Sequence, residues 1–458
     1  MPLVLGVDSS TQSTKVEVRD ADSGMLVGRG RAVHPVTRPP RSEQDPAAWS
    51  AALETARAEA GHEGEIDAIS VAAQQHGLVV LDARGDVIRP AKLWNDTESA
   101  PDAAWLVGRL EGGAAAWASA CGSVPVAAFT ITKLSWLHRR EPEEFARIAS
   151  VMLPHDWLAY RLTDERTTDR GDASGTGYWS PREERWRLDL LEIVDAELDW
   201  AAALPEVRGP GEALGTGDNM AAALGVGLQP GDVVISLGTS GTVYAVSETP
   251  TTDPTGAVAG FADAAGRFLP LVCTLNATLV TDAIARLLGV DHERFDALAL
   301  AASPGAGGVT LVPYFDGERT PNRPDATGLL SGLRSDVTPE QVARAAVEGV
   351  VCSLLDGLDA LRAAGVAVDN GRLLLVGGGA RSIAFRQVLA GLAQRVVVVP
   401  EGEEHVAVGA CVQAAARLAA LPIAEVQAAW GLGTGTVVDP DPGADATSVR
   451  AAYAAVRG

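Results

Sequence analysis

Residues Gly215–Val246, GTGDNMAAALGVGLQPGDVVISLGTSGTVYAV, set an acid, Asp218, beside a glycine-rich turn and ahead of a β-branched run, Val233–Leu237. That run breaks into the tight polar bend Gly238-Thr239-Ser240-Gly241 and resumes as a strand from Thr242 to Val246. Glycines in such a bend let backbone N–H groups approach an anion closely, Thr239 and Ser240 add hydroxyl donors, and the hairpin holds both in place. The bend reads as a phosphate loop. Asp218 stands just before an Ala-rich helical run, so on this stretch alone an N-cap role competes evenly with a catalytic one.

A second copy of the device lies at the N-terminus. Leu3 to Val7 is a strand, Asp8-Ser9-Ser10-Thr11-Gln12-Ser13 a polar turn, and Thr14 to Val18 a returning strand. The separation is far too long for a solenoid repeat, which points to two similar half-molecules facing each other. Two phosphate hairpins closing on one nucleotide is the plan of the actin-like ATPases.

Composition sets the bounds. A chain of 458 residues is long enough for two or three domains, and its high apolar share without low-complexity blocks favours a globular α/β protein. A net charge of −22 with no basic run argues against nucleic acid or an anionic membrane as partner. A polyanion such as ATP would then need local N–H donors and a metal. No signal-peptide pattern and no membrane-spanning apolar run is present. Cys121, Cys273, Cys352 and Cys411 form no CxxC pair and read as reduced core thiols of a cytoplasmic protein. Lysine is limited to Lys15, Lys92 and Lys133, and neither a Walker-type loop nor a protein-kinase signature occurs.

Outward from the two bends, Met1 to Val33 reads as three short strands, Asp45 to Ala60 as a capped helix, and Ile66 to Ala73 as a buried strand ending in Gln74-Gln75-His76-Gly77. Gln75, His76, Asn95 and Asp96 gather neutral and acidic partners suited to a polyhydroxy ligand, although a lone loop histidine is more often structural. Ala100 to Gln229 reads as mostly helical, with Trp136, Trp157 and Trp186 in the core, and Thr167–Gly177, TTDRGDASGTG, as a polar loop that either lines a cleft or, slightly favoured, crosses the surface. The segment Pro205–Glu212 offers no apolar strand to support Asp218. Further on, Thr338-Pro339-Glu340-Gln341 is a capping box opening a long buried helix. Strand Leu373–Val376 runs into Gly377-Gly378-Gly379-Ala380-Arg381-Ser382 and a helix. That unit imitates a dinucleotide fingerprint, but Ser382 replaces the third glycine and too little chain follows for a Rossmann sheet, so the turn is read as packing against adenosine.

Together VLGVDSSTQSTKVEV, QQHGLVVLD, LWND, GTGDNMAAALGVG, LGTSGT, FDGERTPN and LLLVGGGARS resemble, in order and over nearly the whole chain, the FGGY family of carbohydrate kinases. The resemblance implies two actin-like (ribonuclease H-like) α/β domains flanking an interdomain cleft. They would be a sugar-binding domain over 1–229, an ATP-binding domain over 230–440, and a helical tail over 441–458. It implies Asp218 as general base, Gln75, His76, Asn95, Asp96 and Asn219 as sugar contacts, and Asp8 as a catalytic and Mg²⁺-associated residue. Thr11, Gln12, Ser13, Gly238, Thr239 and Ser240 would meet the phosphates of ATP, with Gly378, Gly379 and Ala380 near adenosine. The implied reaction is ATP-dependent phosphorylation of a ketopentose, D-xylulose first, and a homodimer stays open. This sequence departs from the family with Ser10 where a glycine is usual and Gln75 where a methionine is common. Rival readings are a kinase for ribulose, gluconate or glycerol, an actin-like ATPase with a protein client, an idle sugar sensor, and an NAD-dependent oxidoreductase.

Overall fold

The computed structural model describes residues 2–443 and 445–458; Met1, counted above in the first strands, and Ala444, within the expected tail, lie outside them. The chain packs as two compact units. The first comprises Met1–Leu228, Glu248–Leu269 and Glu404–Leu432, and the second Gln229–Ser247, Pro270–Glu403 and Gly433–Gly458. The units therefore interleave along the chain where a single boundary at 229/230 was expected, and Glu404–Leu432 packs within the first.

The first unit is built on a sheet whose strands are β1 (Leu3–Ser9), β2 (Ser13–Asp20), β3 (Leu26–Val33), β4 (Ile66–Ala73) and the short β7 (Gly215–Gly217), in the order β7-β4-β1-β2-β3. β1 to β3 form an antiparallel meander, whereas β4 runs parallel to β1 and β7 parallel to β4. Alternation in β1 sorts its side chains to two faces. Leu3, Leu5 and Val7 join Trp49 and Leu53 of α1 (Pro46–Ala60), whose N-cap Asp45 accepts from Ala47 N. Val4 on the opposite face joins Cys411, Val412 and Ala415 of the helix His405–Ala419. That helix lies so close that a Cβ on Gly6 would sit 2.2 Å from the Ala407 carbonyl oxygen, so only glycine fits there.

Between β4 and β7 the chain is less helical than expected. Helices, including α2 (Pro154–Thr163) and α3 (Arg170–Ser174), alternate with two- and three-residue strands such as β5 (Thr167–Asp169) and β6 (Glu206–Arg208), which pair in parallel. The Pro205–Glu212 region forms β6, which is exposed to half-buried and, as expected, no apolar run; Asp218 is supported instead by the buried β7, which leads into α4 (Asp218–Gly225). Trp136 and Trp157 are buried and Trp186 half-buried, as expected of core residues.

The second unit repeats the plan. β8 (Val233–Leu237), β9 (Gly241–Ala245) and β10 (Phe268–Thr274) form an antiparallel meander. β11 (Leu373–Val376) lies parallel to β8, and β12 (Val397–Pro400) and β13 (Gly435–Val438) follow it. Helices α5 (Thr278–Leu288), α6 (His292–Ala301), α7 (Pro339–Ala363), α8 (Ile383–Ala393) and α9 (Ala446–Arg457) belong to this unit. The capping box at Thr338 and Gln341 is formed. Among the described residues no single helix is long and apolar enough to cross a membrane.

Candidate active site

Parallel strands end side by side, so the loops that leave them converge. In the first unit Asp8 pairs with Ala72, and Ala73 with Gly217, which brings the ends of β1, β4 and β7 together. Asp8 near the end of β1, Gln75 and His76 after β4, and Asp218 and Asn219 after β7 follow from this pairing.

Asp218 is not an N-cap. Gly217 holds that position, and a Cβ there would strike Gln75 Cγ at 2.7 Å, so the glycine admits the glutamine. Asp218 Oδ1 accepts from Asn219 N (2.8 Å) and Asn219 Nδ2 (3.0 Å), and the same Nδ2 donates to Gln75 Oε1 (2.9 Å). Gln75 Nε2 is buried without a hydrogen-bond partner. Burial first, then the charges of Asp8 and Asp172, raise the Asp218 carboxyl to about 8. Once ionised, such a carboxylate is a stronger base than an ordinary aspartate and is able to accept an alcohol proton as the alcohol attacks.

Asp8 is buried, and burial raises it to about 6; Lys15, 3.5 Å away, opposes this, while Glu404 reinforces it. Lys15 in turn donates to Glu404 at 2.6 Å. Asp8 Oδ1 is buried without a hydrogen-bond partner, a donor set that fits a cation. Of the other first-hairpin residues, Thr11 spends its hydroxyl within this unit, donating to Gln74 Oε1 and accepting from Trp94 Nε1. Gln12 is exposed, and Ser13 is buried at the start of β2 because that strand begins a residue earlier than expected.

His76 sits at φ 68°, with its ring against Phe129 and Phe261 and its Nδ1 2.7 Å from the Gly175 carbonyl oxygen. Asn95 is half-buried with Oδ1 buried and unpartnered. The expectation for Asp96 is corrected: it is fully buried and saturated, its Oδ2 held by Lys92 Nζ (2.9 Å) and Ser42 N (2.9 Å) and its Oδ1 by Glu98 N (3.1 Å). Lys92 also meets Glu43 and Glu98 and lies over the Trp136 ring, so the group is a structural ion-pair hub.

The Thr167–Gly177 segment, expected at the surface, is buried throughout. Most of its polar side chains are satisfied internally, Thr168 Oγ1 and Asp172 Oδ1 being buried without a partner, which is why hydrophilicity misleads there. Asp169 caps α3 through Gly171 N and Asp172 N and accepts Thr216 Oγ1 at 2.7 Å. His155 Nδ1 lies 3.1 Å from both Asp156 Oδ1 and Asp172 Oδ2. Burial alone would pull the imidazole down, but the two carboxylates together hold it well above its usual value, so a proton on His155 partly neutralises the cluster. Asp172 is raised to about 7, by burial first, against the pull of His155. Asp169, Asp172 and His155 were not singled out in the sequence, where the run between Thr167 and Gly177 reads only as polar.

In the second unit, the register Leu237–Gly241 in the hairpin and Ser236–Val376 in the parallel pair puts two loops next to each other. Gly379 packs so tightly that a Cβ would meet Leu237 Cδ2 at 2.4 Å and Thr278 Cγ2 at 2.8 Å. Gly238, Thr239, Gly378 and Gly379 line a cavity of about 830 Å³ together with Thr278, Asp296 and Ser382. Ser382 caps α8 and donates to Asp296 Oδ1 at 2.7 Å, while Ile383 N donates to Asp296 Oδ2. Of the second-unit residues expected to meet nucleotide, Ser240 and Ala380 are outside this lining; the Ser240 carbonyl accepts from Gly238 N, and Ala380 is buried with its carbonyl accepting from Arg386 Nε.

Residues 3–246 match the N-terminal domain, and residues 233–418 the C-terminal domain, of the FGGY family of carbohydrate kinases. The chain is 50% identical to a xylulose kinase of Streptomyces coelicolor, over 96% of this chain and 92% of the relative. It is 36% identical to a xylulose kinase of Escherichia coli, over 85% and 84%. The crystal structure of a xylulose kinase from Bifidobacterium adolescentis superposes with a TM-score of 0.88 at 42% identity, covering 100% of this chain and 99% of that one.

Proposed function

The chain belongs to the FGGY family of carbohydrate kinases, and from that premise we propose that it transfers the γ-phosphoryl group of ATP to the terminal hydroxyl of D-xylulose. The observation that carries the reading is the wired carboxylate: Asp218, raised to about 8, bonded to Asn219 and through it to Gln75. A polyol is gripped by neutral amides and an imidazole, and a basic carboxylate beside them accepts a proton.

Phosphoryl transfer asks the protein mainly to position its partners and balance charge. Asp218 in its ionised form accepts the proton of the attacking hydroxyl as the new O–P bond forms and the bond to the departing ADP breaks. Gln75, His76, Asn95 and Asn219 orient the sugar, Asp96 acting only as support for Lys92. Gly238, Thr239, Gly378 and Gly379 receive the nucleotide in the second unit, with the first unit assigned to sugar. Asp8 is assigned to Mg²⁺, which when bound neutralises charge on the phosphates; its unpartnered Oδ1 supports that assignment. The four cysteines are free and buried, which supports a reducing, cytoplasmic setting.

An ADP-release assay across ketopentoses and polyols tests the reading. D-xylulose is expected to give the highest kcat/KM; a higher value with ribulose, gluconate or glycerol would displace it. Replacing Asp218 by Ala should lower kcat by about 10²–10⁴-fold with ATP binding retained, and near-normal turnover in that variant would remove the base assignment.

A further inference from the structure

Gly175 has an ordinary backbone, φ −83° and ψ −2°, which any residue adopts. Its lack of a side chain is therefore not a matter of conformation. A Cβ built there would lie 2.6 Å from both Cε1 and Nδ1 of His76, so the space a side chain would fill is filled by the imidazole. The Gly175 carbonyl oxygen also lies 2.7 Å from His76 Nδ1. A carbonyl only accepts, so Nδ1 carries the hydrogen, and in the neutral ring Nε2 is then the acceptor nitrogen.

The glycine is itself immobilised. Gly175 N donates to the Asp172 carbonyl, and Ser174 Oγ accepts from Ala262 N at 3.0 Å and donates to the Gly171 carbonyl at 2.6 Å. Asp169 fastens the start of the same turn to Thr216, two residues before Asp218. The turn that seats His76 is thus tied to the strand that delivers Asp218.

We propose that Gly175 is a positioning residue for the sugar: its bare α-carbon and its carbonyl seat the His76 ring in one orientation and one tautomer, presenting Nε2 as acceptor to a hydroxyl of the ketopentose. The inference rests on the reading of His76 as a sugar contact. It makes Gly175 a determinant of which epimer is accepted, because an acceptor at a fixed point rewards only a hydroxyl of matching configuration.

Three variants and one spectrum test it. Gly175→Ala is expected to raise the KM for D-xylulose about ten- to a hundredfold, the cost of displacing a positioning group by roughly an ångström. The KM for ATP should not change, and the preference for D-xylulose over D-ribulose should shrink. His76→Ala should raise the sugar KM as well. If it does not, the sugar reading of His76 fails and this inference with it; if it does while Gly175→Ala leaves sugar KM and epimer preference intact, Gly175 has no positioning role. Independently of whether the Ala variant folds, ¹⁵N-edited NMR of the unaltered protein, with the His76 signal identified by its loss in His76→Gln, should show the Nδ1–H tautomer. A ring protonated only at Nε2 overturns the proposal.

Discussion

Three carboxylates of the first unit hold their protons unusually well: Asp8 to about 6, Asp172 to about 7 and Asp218 to about 8, in each case chiefly through burial. An unfolded aspartate titrates near 3.9. A folded value above that contributes stability fully present below about pH 4 and lost as pH rises through the folded value. Asp218→Asn is therefore expected to raise Tm relative to the unaltered protein at pH 8 and to leave it unchanged at pH 4, read by calorimetry at both. Asp172→Asn removes one of the two charges that raise Asp218, so the acid limb of kcat/KM should move to lower pH, whereas a purely structural residue would leave its position alone. Asp218 was legible as an acid between a glycine-rich approach and an Ala-rich run. Asp172 was not, because its importance arises from neighbours, His155 and Asp156, that only the folded chain delivers. The misreading of Asp96 had a warning in the sequence: Lys92 stands four residues before it, and the two pair at 2.9 Å.

At the level of elements, the two hairpins were read to within two residues, since a short apolar run broken by a polar bend is a local signal that packing does not override. The stretch from Ala100 to Gln229 was not, because several of its two- and three-residue strands exist only through pairing with distant segments, as in Thr167–Asp169 with Glu206–Arg208. Asp169 shows what such pairing accomplishes: one side chain caps α3 and anchors Thr216. Asp169→Ala should cost about 1–2 kcal/mol in a denaturant melt through the lost cap alone, and should also raise the sugar KM because α3 and β7 lose their tie. In the second unit, Asp296 holds Ser382 and Ile383 N at the mouth of α8. Asp296→Ala is expected to raise the KM for ATP severalfold, with the KM for sugar unchanged, in initial-rate kinetics with each substrate varied in turn.

Across the whole molecule, the duplicated plan was visible in the sequence as two similar hairpins, and each hairpin proves to be the start of a three-strand meander joined by a later parallel strand. The interleaving was invisible, because nothing local in HVAVGACVQAAARLA says which sheet it will cover. Its fit is demanding: a Cβ on Gly6 would clash with the Ala407 carbonyl oxygen, and one on Gly409 with Ala221 O. A chain ending before Glu404 should accordingly expose Val4 and Ala72, and rapid proteolysis of its N-terminal half, compared with the full chain, is the expected readout. The same helix sets a timetable for biosynthesis. The first strands leave the ribosome early, yet their covering layer is translated only near the end, so the nascent N-terminal half must wait, with one apolar face bare, for most of the message to be read. Protection by a holding chaperone during that interval matters more for this chain than for one whose halves mature in sequence.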